Sequence, residues 1–178
     1  DGDVAKLREE VKGNLEREVK RRIQAKIKEQ VMDALIAVTP IEVPKALVQA
    51  ESQQLADNAR RDLEMRGLKT KDIPVDPSWF TEQAERRVKL GLIMAELVKA
   101  SELHAKPEQI RALVEEMAQS YEDPAELVRW YYSQPERLAQ AEAVVIEDNV
   151  VAWVEEQAQT TAKDVNFDEF MGNPKAPA

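Results

Sequence analysis

The sequence has no cysteine, one histidine and only five glycines among its 178 residues. The absence of cysteine excludes disulfide bonds, thiolate metal sites and a cysteine nucleophile. The single histidine, His104, excludes any metal site that needs two histidine ligands, and we predict that it lies at a helix C-terminus on the surface. So few glycines disfavour folds built from tightly turning β-strands.

Long apolar runs are missing as well. The sequence contains no run of eighteen apolar residues and no basic-then-apolar leader, so we expect no membrane span and no signal peptide. Because the chain begins at Asp1 rather than at a methionine, the missing leader says little about the compartment.

Asp and Glu outnumber Lys and Arg by 34 to 25, and the net charge is −9. The acidity is concentrated in residues 107–178, where five Lys or Arg stand against fifteen Asp or Glu, a local charge of −10. A nucleic-acid partner requires a basic face, so we expect none.

The first segment repeats an apolar residue at every fourth position, which predicts a helix from Asp3 to Val38. Because four residues turn a helix by about 400°, this stripe winds around the helix, and its two ends must face different partners. The end at residues 31–38 is apolar on nearly every side and is predicted to be the buried end. The stripe consists of Leu7, Val11, Leu15, Val19, Ile23, Ile27, Val31 and Leu35.

Proline and aspartate divide the middle of the chain into helices. Thr39-Pro40 ends the first helix, because the residue before proline avoids the helical conformation. Helices are predicted from Pro44 to Arg66 and from Asp76 to about Leu103. A polar loop joins them, so we expect an antiparallel hairpin.

The last third of the chain is predicted to hold further helices. A fourth helix begins at Pro107, and patterns typical of capping boxes at Asp123 and Ser133 start a short fifth helix and a long sixth helix, which reaches about Ala158.

After the sixth helix the helix propensity falls. We expect a short edge strand at Val165–Phe167, a last turn at Asp168–Met171 and disorder at residues 173–178. The fold class is therefore predicted to be all-α, with helix in roughly three-quarters of the chain.

No constellation of catalytic residues emerges from the sequence. It has no glycine-rich phosphate loop and no nucleophile elbow, and a paired Glu-x-x-His site needs two histidines. The acids around Met117 fit a solvated helix face, and the basic run Lys20-Arg21-Arg22 is interleaved with glutamates. We therefore expect no enzyme, no metal and no cofactor.

Three consecutive aromatic residues, Trp130, Tyr131 and Tyr132, are unusual in this sequence. Neighbours on a helix lie about 100° apart, so the three rings cannot all face one core. Together with Met117 and Tyr121 they are typical of an adaptable apolar binding surface for extended polypeptide. The alternative is that the aromatics mark the junction of the fourth, fifth and sixth helices, and the sequence leaves both open.

Five stretches stand out in order along the chain: Leu7–Glu18, Ile41–Pro44, Gln83–Leu92, Glu115–Pro124 and Asn166–Met171. Together they resemble the C-terminal, substrate-binding domain of trigger factor, the bacterial ribosome-associated chaperone. The resemblance covers nearly the whole chain.

The resemblance implies an elongated helical body with protruding helical arms. The chaperone domain then covers residues 1–172, with one arm at 44–103, and a second arm with a body helix at 107–158. The same resemblance implies a cytoplasmic protein that binds unfolded or nascent polypeptides without ATP and prevents their aggregation. Ribosome docking and prolyl isomerase activity belong to domains that are not found here, and a homodimer stays open.

The resemblance also implies a binding site. One client-binding patch of the family matches Met117, Tyr121, Leu127, Trp130 and Tyr131, where the family usually has Phe or a similar residue at position 130. Two alternatives remain at this point: the core of a periplasmic SurA-like chaperone, and a helical scaffold or adaptor whose aromatics are buried. The burial of Trp130 and Tyr132 distinguishes the scaffold from a binding surface.

Overall fold

The computed structural model describes residues 4–68, 75–119, 121 and 123–172, with only the backbone of Glu169. Within these ranges every regular element is helical and no strand is present, which confirms the all-α fold class. The helices are α1 (Val4–Val38), α2 (Lys45–Met65), α3 (Thr81–Ala100), α4 (Pro107–Ala118), α5 (Pro124–Tyr132), α6 (Pro135–Gln157) and α7 (Phe167–Met171), with a 3-10 turn at Pro77–Phe80 before α3.

The chain forms two compact units. One unit holds residues 1–31 and 151–178, and the other holds residues 32–150. The helix pairs α2–α3 and α4–α5 both lie in the second unit.

Local chemistry sets the helix ends much as the sequence predicts. α1 ends immediately before Thr39-Pro40, and Pro44 stands outside α2 with an extended backbone. The side chain of Asp76 accepts a hydrogen bond from the backbone N–H of Ser78 at 2.8 Å, and that of Asp123 accepts one from Glu126 N–H at 2.9 Å. Each bond satisfies a donor that a helix start leaves unpaired.

Ser133 has a different role from the one predicted. Its hydroxyl donates to the carbonyl of Trp130 at 2.7 Å, so it terminates α5 and does not cap α6. A serine between two closely spaced helices can hydrogen-bond to the end of the first helix or to the start of the second. Here its hydroxyl bonds to a carbonyl of the first helix.

α2 and α3 pack against each other and contribute part of the core of the second unit. Ala56 and Ala84 are completely buried, which is consistent with a close approach of the two backbones. Ion pairs from Arg86 to Asp33 and from Arg87 to Glu51 add contacts at the exposed edges of α3. The larger buried side chains of the pair are Leu55, Ile93 and Val98.

A polar cluster fixes the turn between α3 and α4. The amide of Gln109 donates to Asn149 Oδ1 on α6 at 2.7 Å, and Asn149 Nδ2 donates to the carbonyls of Leu103 and His104 at 3.4 Å each. Glu102 adopts a left-handed backbone with φ of 53°. His104 is exposed, as predicted, but it lies in this turn beyond the end of α3.

α1 departs from the prediction at both ends. Val31 and Met32 are buried, but Val38, at the end that was expected to be buried, is 73% exposed. The predicted burial of Val38 is wrong because a helix that is apolar on every side is buried only where other elements pack against every side. Most of the first half of the stripe is exposed as well, at Leu7, Val11, Leu15 and Ile23.

The first unit contains a shallow apolar groove along α1, lined by Leu15, Val19, Ile23 and Phe167. The guanidinium of Arg22 donates to the carbonyl of Met171 at 3.0 Å and so ties α7 to α1.

The edge strand predicted at Val165–Phe167 is wrong. Asn166 accepts a hydrogen bond from Asp168 N–H on its side chain at 3.0 Å and one from Phe170 N–H on its carbonyl at 2.9 Å. Both bonds start a helix, so Phe167 begins α7. The disorder predicted for residues 173–178 falls outside the described residues.

Candidate functional site

The helices α4 and α5 pack against each other and carry the aromatic residues singled out in the sequence. α4 is amphipathic and buries Val114 and Ala118 completely. Tyr121 stands between the two helices, and its N–H donates to the carbonyl of Ala118 at 3.0 Å. α5 then begins at Pro124 and buries none of its own residues.

Five side chains of these helices and their connection form what we call the α4–α5 aromatic surface. Three of them are well exposed, at 43% for Met117, 59% for Tyr121 and 48% for Trp130. The other two, Leu127 and Tyr131, are half-buried.

Direct contacts join three of these residues. The hydroxyl of Tyr131 lies 3.9 Å from the sulfur of Met117, which joins α5 to α4. The rings of Trp130 and Tyr131 meet edge to face, with centroids 5.3 Å apart. Leu127 lies one helical turn before Tyr131, on the same side of α5.

The exposure of the aromatics decides between two of the sequence-based alternatives. Trp130 and Tyr132 are each 48% exposed, so neither ring belongs to a core. The scaffold alternative, which requires these rings to be buried, is contradicted. Apolar surface of this kind on a water-facing helix pair is typical of a binding site.

Sequence reasoning missed one residue of this site, Arg137 on α6. Its guanidinium lies over the ring of Trp130, 3.5 Å from the ring centroid. The same group donates to the carbonyl of Trp130 at 2.9 Å and to the hydroxyl of Ser133 at 3.4 Å. No helix spacing rule points to this pair, because α5 ends and α6 begins between the two residues.

Acidic side chains dominate the surroundings of the surface. Glu115, Glu116, Asp123 and Glu126 are all exposed on α4, on α5 or at the start of α5. Arg111 pairs with Glu115 at 2.7 Å, and this hydrogen bond raises the pKa of the Arg111 guanidinium above its ordinary value. Exposed carboxylates therefore accompany the apolar residues along α4 and α5, together with Arg129 and Arg137.

The described residues hold no cluster of His, Cys, Asp or Glu that could bind a metal ion. Within the same residues, no helix is both long enough and apolar enough to cross a membrane.

Comparison with known proteins gives a consistent answer. The family model described as "Bacterial trigger factor protein (TF) C-terminus" matches residues 3–156. The chain is similar to a protein named trigger factor from Azoarcus sp. (strain BH72), with 79% identity over 173 residues, which cover 97% of this chain and 40% of that protein.

Further relatives of the same name come from other bacteria. The trigger factor of Aromatoleum aromaticum is 78% identical over 97% of this chain, and that of Paraburkholderia phymatum is 58% identical over 96% of it. The chain spans 40% and 38% of these two relatives. The matched family model covers most of the chain and supports a chaperone-type role: the chain belongs to the trigger factor C-terminus family.

Proposed function

We propose that this chain is a chaperone domain that binds unfolded or nascent polypeptides without ATP and keeps them from aggregating. The α4–α5 aromatic surface is the proposed contact, with Met117, Tyr121, Leu127, Trp130 and Tyr131 as its residues. The observation that carries the proposal is the exposure of Met117, Tyr121 and Trp130 on adjoining elements in a member of this family.

The physical requirements of such a chaperone are modest. Burial of apolar surface gives about 25 cal/mol per Å² and does not depend on a particular partner sequence. Several weak contacts along one chain reinforce each other, because each contact after the first is intramolecular. No catalytic group is needed for this task.

The acidity of residues 107–178 has two consequences for the proposed task. The net charge of −9 keeps a protein with exposed apolar residues in solution. It also favours clients in which basic residues flank an apolar segment, because exposed carboxylates neighbour the apolar residues on α4 and α5.

We also propose the roles of the wider family for the longer protein. These are docking on the ribosome and prolyl isomerase activity through parts that this chain does not contain, and a cytoplasmic location. The pairs α2–α3 and α4–α5 are proposed to act as the two arms of the domain.

A light-scattering assay of a refolding client, without ATP, tests the proposal. The intact chain is expected to suppress aggregation, and the double variant Trp130→Ala with Tyr131→Ala is expected to need a several-fold higher concentration. Trp79→Ala is the matched control, because Trp79 is 66% exposed but lies in the 3-10 turn before α3. Full suppression by a folded double variant would contradict the assignment of the surface.

A further inference from the structure

Arg137 limits how the α4–α5 aromatic surface presents the ring of Trp130 to a partner. Its planar guanidinium covers the ring of Trp130 at 3.5 Å, while the Trp130 side chain is still 48% exposed. Trp130 therefore presents only part of its indole to a partner, and a cation already sits over that ring.

Arg137 is held in this place from several directions. Its Nη1 atom donates to the carbonyl of Trp130 at 2.9 Å, and the same atom lies 3.4 Å from the Ser133 hydroxyl. Ser133 in turn donates to the Trp130 carbonyl at 2.7 Å. The positive charge also lies at the C-terminus of α5, where the helix dipole favours it.

Two consequences follow for the indole. A ring stacked under a fixed guanidinium and against the ring of Tyr131 has less freedom to lose when a partner binds, so it binds at a smaller entropic cost. In addition, the attraction between the electron-rich ring and a cation is already satisfied by Arg137, and a second cation at the ring is repelled by the first.

We propose that Arg137 is a positioning and specificity-determining residue of the α4–α5 aromatic surface: it fixes the Trp130 indole and directs it toward aromatic and aliphatic side chains rather than Lys or Arg. This inference rests on the proposed function. Basic residues of a client then lie near the exposed carboxylates of α4 and α5, and apolar residues occupy the centre.

A pair of matched peptides measures this selectivity. Both are short, unstructured, free of tryptophan and labelled at one end, and they differ only in a central Phe or a central Arg. The whole chain is titrated against each peptide by fluorescence anisotropy, as it stands and with Arg137→Gln. Arg129→Gln is the control, because it removes the same charge from an exposed residue next to Trp130.

The expected result is a change in the ratio of the two affinities. Arg137→Gln is expected to reduce the preference for the Phe peptide by about three- to tenfold relative to Arg129→Gln, since a cation–π contact has about that strength. The ratio of the two affinities does not depend on the fraction of the protein that is folded, because both peptides are titrated with the same preparation. Equal ratios in the two variants would overturn the inference.

A second readout separates this inference from the proposed function. In a chain with Trp79→Phe and Trp153→Phe, the emission anisotropy of Trp130 is expected to fall when Arg137→Gln is added, and unchanged anisotropy would count against a fixed indole. If neither peptide binds the intact chain, the proposed function itself fails and the specificity inference falls with it. If both bind and only the ratio is unchanged, the specificity inference alone fails.

Discussion

The two helix pairs of the second unit differ in how many of their apolar residues they bury. The helices α2 and α3, which pack against each other, bury Leu55, Ala56, Ala84, Ile93 and Val98. In contrast, α5 buries none of its own residues, although it carries three aromatic rings in succession. The comparison shows that the apolar content of a helix does not reveal whether it serves the core or a partner. The size and placement of the neighbouring helix decide this.

Length and side-chain size explain the difference. α2 and α3 have 21 and 20 residues and bury the small residues Ala56 and Ala84, which favours close packing of the two helices. α4 and α5 have only 12 and 9 residues, too few to cover consecutive rings that point about 100° apart. The first pair therefore covers more of its apolar side chains, and the second leaves aromatic rings exposed.

The largest expected effect comes from breaking the α2–α3 contact. Leu55→Ala and Ile93→Ala each remove a side chain that is at most 8% exposed, and each is expected to lower the free energy of unfolding by about 2–5 kcal/mol. Urea denaturation measures the change. A loss well below this range at both positions would show that α2 and α3 do not form a tight core.

Removal of the Trp130 side chain on the α4–α5 pair is expected to affect client binding more than stability. Trp130→Ala is expected to lower the free energy of unfolding by less than about 1 kcal/mol and to weaken client binding by about 1–2 kcal/mol, a factor of roughly 5–30. Denaturation and titration with an unfolded client measure the two quantities on the same sample. A loss of about 3–5 kcal/mol in stability, as for a core aromatic, would assign Trp130 to the core instead.

A buried polar atom on α2 allows a gain in stability. Ser52 is 4% exposed, and among the described residues its buried hydroxyl oxygen has no hydrogen-bond partner. Ser52→Ala removes this unpaired group and is expected to raise the free energy of unfolding by about 1 kcal/mol. A lower midpoint of urea denaturation in this variant would indicate that the hydroxyl is paired in solution.

The turn that follows α3 offers the smallest effect. Glu102 has a φ of 53°, and the N–H of Leu103 donates back to the carbonyl of Val98 at 3.0 Å. Glycine adopts this backbone without strain, so Glu102→Gly is expected to raise the free energy of unfolding by about 0.5–1 kcal/mol. Glu102→Ala, which keeps a Cβ atom, is the control and is expected to give no such gain. A melting temperature lowered by Glu102→Gly would contradict this explanation of the turn.

The sequence predicts the helices well because their ends depend on local chemistry. Thr39-Pro40, Asp76 and Asp123 act within a few residues of their own position, and the structure has helix boundaries at all three. The exposure of Val38 was not predictable in this way, because it depends on which element lies beside the end of α1.

The same distinction holds for the candidate site. Trp130 can be selected from the sequence, because consecutive rings on a helix cannot all be buried. Met117 and Tyr121 can be selected by their residue types, which are typical of adaptable apolar surfaces. The stacking of Arg137 on Trp130 depends on the angle between α5 and α6, which no sequence pattern specifies. Asn166 is an intermediate case, since its capping role is local but competes with the β propensity of Val165 and Phe167.

The central claim is that the α4–α5 aromatic surface contacts unfolded polypeptide, and the emission of Trp130 tests it most directly. In a chain that carries Trp79→Phe and Trp153→Phe, Trp130 is the only remaining tryptophan, and it is half exposed without a client. Addition of an unfolded client without tryptophan is expected to shift its emission to the blue as water leaves the ring. An unshifted spectrum under conditions where the client is shown to bind would contradict the account.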